Sequence, residues 1–440
     1  MTRQCNTVSN FTGIDSVKVT NMRLVQFIKA INYLPKRKNF SQEVDFYILT
    51  FIKLIYMNAK IFLSEKWLQK IKTILIFTPV GSIFLFGCAS LDNTKQLPNE
   101  LHNTLKIFAE KHQVCGVAIA VVKNRQVDST ESATGCMPAL TVNSDSVFQV
   151  ASLSKTVFAY AVLKMVDQGK LEIDAPVMKY LPHGYRHQFN PLKTDPSNWV
   201  SDARIHEITV RMVLNHTSGL PNWASGPLIF NSAPGEKWEY SGESFVLLQR
   251  AVEVITGQPL DQFMENQVFK PLAMNHSSYI WTEKMAQTML PGTKANGTAR
   301  TTLTLKKPVA AFTLHTTAAD YGKFIAALLE NKIMLKQITA SPVTADSSLN
   351  LQWGLGWGIE NTPNDLYIWH WGNNIGYRAF VIASVHTGDG LVMLTNSENG
   401  LELAKPLTDK ILPDKHTLFD SSMLGHDMVN WLCTKLRVCL

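Results

Sequence analysis

This chain of 440 residues contains no cysteine–histidine spacing that reads as a zinc site and no internal repeat, so neither a metal-built module nor a solenoid is indicated. Positive charge is scarce where a nucleic-acid partner would need it. The formal net charge is +7, but twelve of the 42 Lys and Arg, against four of the 35 Asp and Glu, fall within residues 1–72. The other 30 basic and 31 acidic residues nearly cancel, which leaves the folded body without a basic excess. A long apolar run is missing too. Thr73–Gly87 is uncharged but contains Pro79 and Gly81, and it falls short of the roughly 20 residues that span a bilayer.

What is present begins with that run. Lys66, Lys70 and Lys72 precede it and Cys88-Ala-Ser follows, the parts of a secretory signal. Leu85-Phe-Gly-Cys88 resembles a bacterial lipobox, whose cysteine is lipidated. The expectation is an exported chain held at the membrane by lipid on Cys88, with an uncleaved anchor as the other reading. Met57 is the expected true start. Cys115 and Cys136 fall on two neighbouring strands, as either a disulfide or two buried thiols. Cys433 and Cys439 are a candidate second pair.

With 45% hydrophobic residues the chain can bury a large core. Helices are expected from Leu97 to His112, from Ser152 to about Gly169, from Gly242 to Ile255, from Pro259 to Phe269 and from Thr317 to Leu329, the last capped by Thr316 or Thr317. Gly116–Val122 and Gln126–Ala133 read as a hairpin. Gln352–Ile359, Tyr367–His370, Tyr377–Ser384 and Leu391–Thr395 read as later strands, followed by a helix to about Leu412. Strands at both ends bracket a mostly helical middle. The fold class is therefore α/β of the α+β kind, an antiparallel sheet flanked by helices, with a helical insert over about 151–345 and a cleft between the two parts. The catalytic domain is placed at 98–412, between an N-terminal extension (1–88) and a tail (413–440).

Chemistry enters at Ser152-Leu153-Ser154-Lys155. On a helix, i and i+3 share a face, so an amine can reach the serine hydroxyl and take its proton, provided burial lowers the lysine pKa. Alone, S-x-x-K arises by chance about once or twice in such a chain. The apolar stretch Thr156–Val166 favours a buried helix and a desolvated lysine.

Two further segments give the tetrad company. Pro234–Gly242 carries Tyr240-Ser-Gly242 just before a helix, and His370-Trp371-Gly372 is followed by Asn373. Together with Leu214–Pro221 and Trp353–Trp357, these segments resemble, in order, the motifs of the serine β-lactamase and penicillin-binding protein superfamily on its class C side. The resemblance implies Ser152 as nucleophile, with Lys155 and Tyr240 as proton carriers. It also implies His370, Trp371, Gly372 and Asn373 at the substrate, and an oxyanion hole formed by the Ser152 and Asn373 N–H groups. Lys155 as an ammonium would favour a Tyr240 phenolate. The family's second motif usually ends in asparagine and its third usually begins with lysine; here Gly242 and His370 stand instead. His370 is expected to titrate near 6.5 and Trp371 to add bulk, so small esters should be preferred to β-lactams. His206, His216 and His386 read as structural or surface residues, and Asn215–Gly219 as a turn. The expected activity is an exported serine hydrolase acting through an acyl-enzyme on D-alanyl peptides, β-lactams or small esters, without metal or cofactor. The rival is a penicillin-binding sensor that acylates without turnover.

Overall fold

Residues 96–136, 141–194 and 196–424 are described by the computed structural model, with only the backbone of 96–99. The apolar run, Cys88, Met57 and the Cys433–Cys439 pair lie outside the described residues.

Helix α1 (Gln96–His112) leads into β1 (Val117–Lys123) and β2 (Gln126–Ala133). Asn124 and Arg125 between the strands both have positive φ, the geometry of a two-residue hairpin turn. β1 is an unbroken apolar run because both its faces are covered. Val117, Ile119 and Val121 pack with Leu105 and Ala109 of α1, whereas Ala118, Ala120 and Val122 face a second, larger core. Cys115 and Cys136, left open between bond and thiols, form a disulfide.

The middle of the chain supplies that larger core. It holds β3 (Phe148–Gln149), α2 (Leu153–Asp167), β4 (Arg186–Gln188), β5 (Ser197–Trp199), the single-turn α3 (Val210–Leu214), α4 (Glu243–Thr256), α5 (Leu260–Met264), β6 (His315–Thr316), α6 (Ala318–Glu330) and α7 (Lys332–Thr339). The N-cap of α6 is Thr317, whose hydroxyl accepts from Asp320 N–H.

Six strands follow: β7 (Val343–Asp346), β8 (Leu351–Trp353), β9 (Gly358–Asn361), β10 (Leu366–Asn374), β11 (Tyr377–Ser384) and β12 (Gly390–Thr395), then α8 (Ala404–Ile411). Among the described residues they join β1 and β2 in one antiparallel sheet, ordered β2-β1-β12-β11-β10-β9-β8-β7. The last strand thus sits beside the first, and the helical middle is an insertion between them, as expected. Gln352–Ile359 is not one strand. Gly356, at φ +85°, turns the chain back, and Gly354 N–H bonds to Trp357 O, so β8 and β9 form a hairpin. No helix among the described residues is long and apolar enough to cross a membrane.

Candidate active site

Ser152 stands at the head of α2, partly exposed, while twelve of the fifteen helical residues behind it are buried. A helix that is apolar almost all round belongs in a core, and this one reaches solvent only at its ends, at Ser152 before the first turn and at Lys164, Val166 and Asp167 in the last. Ala151 before it has φ +50°, a strained value for a residue with a side chain. The surroundings hold it there: Val150 N–H bonds to Leu314 O, and Ser154 Oγ donates to Ala151 O and accepts from Leu314 N–H. Ser154 is thereby consumed in structure and Ser152 is left free to react.

One turn on, Lys155 Nζ lies 3.2 Å from Ser152 Oγ and donates to Ala311 O at 2.9 Å. The side chain is 1% exposed, and the rings of Tyr240 and Phe245 lie 4.8 and 5.6 Å from the amine. Burial alone lowers its pKa to about 7. The amine is therefore neutral in a large fraction of molecules near pH 7, and a neutral amine can accept the serine proton.

Tyr240 is the third member. Burial pushes its phenol well above the usual range, with the neighbouring Ser152 hydroxyl pulling the other way. This corrects the expected phenolate: the lowered group is the amine and the phenol stays protonated, because desolvation disfavours the charged form of each. His216, expected to be structural or at the surface, is fully buried against this tyrosine at 4.4 Å between rings. Its carbonyl accepts Glu239 N–H at 2.8 Å and its Nδ1 accepts Ser241 N–H at 3.1 Å. The residues on both sides of Tyr240 are thus fastened to one histidine. His216 itself sits at φ +58° in the turn after α3, where Asn215 Oδ1 accepts from Thr217 N–H and Oγ1. His206 and His386 are exposed.

The third segment lies on β10. A Cβ on Gly372 would come within 2.2 Å of Val150 O, so only glycine lets this strand pass against the residues leading to Ser152. That close approach brings Asn373 to the cleft. His370 departs from expectation. It is fully buried, its Nδ1 donates to Trp371 O at 2.8 Å, and burial together with the nearby Lys155 lowers its pKa to about 3. It is not among the residues lining the cleft, and it is a neutral packing group around Tyr240 and Trp353 rather than a titrating contact for a carboxylate. Trp371 does line the cleft, its ring tilted by 35° against that of Tyr240 at 5.2 Å.

Above Ser152 opens a cleft of about 620 Å³, with Ser152, Tyr240, Trp371 and Asn373 in its lining. Gly242 lies behind its wall. A Cβ there would fall 2.7 Å from the indole of Trp223 and 2.9 Å from Asn222 O, so the place of a side chain at 242 is already filled. Asn222 Oδ1 and its carbonyl both accept Gly242 N–H. His216 is structural, as one of the expected alternatives had it, but sequence reasoning missed its hold on the Tyr240 segment, and it missed Trp223. The signal lay in the Asn215–Trp223 stretch, but its use depends on contacts with a segment some twenty residues further on.

A serine hydroxyl, a desolvated amine and a phenol gathered under a cleft between a sheet and an inserted helical region define the penicillin-binding and β-lactamase-like class of serine hydrolases. Residues 101–413 match the Beta-lactamase family, and the chain belongs to that family. It is 23% identical over 381 residues to penicillin-binding protein 4* of Bacillus subtilis, covering 72% of this chain and 75% of the relative. It is 32% identical over 171 residues to the esterase EstB of Burkholderia gladioli, 32% of this chain and 40% of that one. Among solved structures, the D-alanine carboxypeptidase AmpC of Burkholderia cenocepacia superposes with a TM-score of 0.59 at 18% identity, covering 72% of this chain and 99% of that one. A D-stereospecific amidohydrolase from a Streptomyces species gives 0.56 at 20%, covering 71% and 99%.

Proposed function

We propose that this chain is an exported, membrane-tethered serine hydrolase that works through an acyl-enzyme and takes small activated esters ahead of β-lactams. The observation that carries the reading is the buried Lys155 amine, without a carboxylate partner among the described residues, 3.2 Å from a cleft-facing Ser152 hydroxyl. Ser152 Oγ attacks the substrate carbonyl carbon and its proton passes to Lys155 Nζ. The Ser152 and Asn373 N–H groups hold the oxyanion. As the tetrahedral species collapses, the proton moves through Lys155 and Tyr240 to the leaving oxygen or nitrogen, the bond to that atom breaks, and the acyl group remains on Ser152. Water then attacks the ester carbon, gives its proton to the same pair, and releases the acid while Ser152 regains its hydrogen.

The ester preference follows from the two departures. Gly242 offers no amide, and His370 is buried and uncharged near neutral pH, so neither supplies what an anionic amide would use. The esterase, penicillin-binding and amidohydrolase relatives support the reaction class. In a screen of purified protein, kcat/KM for p-nitrophenyl butyrate is expected to exceed that for nitrocefin, and a fluorescent penicillin should label only transiently. Faster turnover of nitrocefin overturns the ester preference; rapid release of D-alanine from a cell-wall peptide points to a peptidase; a stable penicillin adduct without turnover establishes the sensor.

Export draws support from the Cys115–Cys136 disulfide, since such bonds persist in oxidising compartments. The mature chain should begin at Cys88 and carry lipid, and Cys88→Ser should block both processing and lipid incorporation. A mature mass that includes the whole Thr73–Gly87 run would instead establish an anchor.

A further inference from the structure

The cleft above Ser152 has an unusual wall. Phe189, Trp223, Phe312 and Trp371 line it, with the Trp223 and Phe312 rings edge to face at 5.4 Å. Trp223 is 44% exposed, whereas Trp353, Trp357 and Trp369 are all but fully buried. An exposed indole in a concave wall is apolar surface that a ligand can cover. The remaining lining is neutral and polar, chiefly Asn222, Asn373 and Asn374. Glu243 is the only carboxylate or cation among the lining residues, and it is already engaged. Its Oε1 accepts Ala224 N–H at 2.9 Å, its Oε2 lies 3.2 Å from His187 Nε2, and it is 2% exposed. No cation in the lining would pair with a carboxylate.

Trp223 holds its place through Gly242. The indole occupies the volume a side chain at 242 would need, so the two positions are reciprocal: an indole over a glycine, or a side chain at 242 with the indole displaced. The glycine in the second motif thereby shapes the wall.

We infer that Trp223, seated over Gly242 and packed edge to face on Phe312, is a specificity-determining residue that selects uncharged substrates with an aromatic or similarly bulky apolar acyl group. The inference rests on the serine-hydrolase reading above. It concerns the acyl half because that half stays bonded to Ser152 through both steps, whereas the leaving group departs after the first. An apolar ring displaced from water against Trp223 and Phe312 stabilises the acyl part through acylation and deacylation alike.

The test uses the purified full chain and three p-nitrophenyl esters with one leaving group: acetate, phenylacetate and the hemisuccinate, whose acyl end carries a carboxylate. The kcat/KM for phenylacetate is expected to exceed that for acetate by about tenfold or more, and the hemisuccinate to fall below both. Trp223→Ala should bring the phenylacetate-to-acetate ratio down towards one, and Trp223→Phe should keep most of it. Because the readout is a ratio on one enzyme preparation, partial loss of folded protein does not alter it. Gly242→Asn alone should lower turnover of all three esters, while Gly242→Asn combined with Trp223→Ala should be more active than Gly242→Asn alone, since the clash is gone. A phenylacetate preference that survives Trp223→Ala, or a wild type that hydrolyses acetate and phenylacetate equally, overturns the inference and leaves the hydrolase reading standing. Absence of turnover on all three esters, with no acyl adduct on Ser152, overturns the hydrolase reading itself.

Discussion

Ser152→Ala is expected to end turnover and covalent labelling together, with kcat falling by at least about 10⁴-fold. The hydroxyl lost is partly exposed at the head of α2 and carries no hydrogen bond that caps the helix, so the fold should be retained. Ser154→Ala is the matching control. Its hydroxyl joins Ala151 O to Leu314 N–H, so its loss should loosen the strained approach to Ser152 without removing the nucleophile. Mass spectrometry after treatment with a fluorophosphonate decides the matter: an adduct on Ser152→Ala, with none on Ser154→Ala, would mean that the wrong serine has been named.

The second large effect lies in the proton path. Lys155→Ala and Tyr240→Phe should each lower kcat by about 10²–10⁴-fold, and the double variant should be little worse than the poorer single. The pH dependence separates the two groups. Lys155 must be neutral to accept the serine proton and its pKa lies at about 7, so the wild-type acylation rate should rise with pH through that value. The groups facing the amine do not add a limb of their own there. His216 and His370 are held neutral well below it, and Tyr240 stays protonated well above it. The rising limb should persist in Tyr240→Phe and vanish in Lys155→Ala. Multiplicative losses in the double variant would take Tyr240 out of the path.

The site was legible in sequence wherever it depended on local spacing. Ser152 and Lys155 meet because three residues of helix bring them to one face, and the apolar stretch behind them foretold the burial that lowers the amine. The inner strands were legible because runs such as Val117–Val122 and Tyr377–Ser384 allow little else. Gln352–Ile359 was misread because glycine alternating with apolar residues imitates the two-residue period of a strand, whereas one of those glycines makes the turn. β7 escaped notice because its residues are short, mixed in polarity and only partly buried. His370 was read from its unperturbed chemistry, but a pKa is set by surroundings that belong to other elements. His216 and Trp223 act on Tyr240 and Gly242 from a distant loop, and no periodicity records such contacts.

The Lys155 environment also bears on how firmly the chain folds. An amine that titrates at about 7 in the folded protein and at 10.5 when exposed binds a proton more readily in the unfolded chain. Between those values the unfolded state holds the extra proton, so this residue's drag on the fold is full below about pH 7 and is relieved as pH rises toward 10.5. Its size is on the order of 5 kcal/mol, a sizeable part of an ordinary domain's margin. Lys155→Met fills a similar volume without a charge to desolvate. That variant should lose its catalysis and melt at a higher temperature than the parent at pH 6, with the gap closing at alkaline pH. The lysine is thus a residue that the fold would be steadier without, and thermal resistance and activity pull this one position in opposite directions.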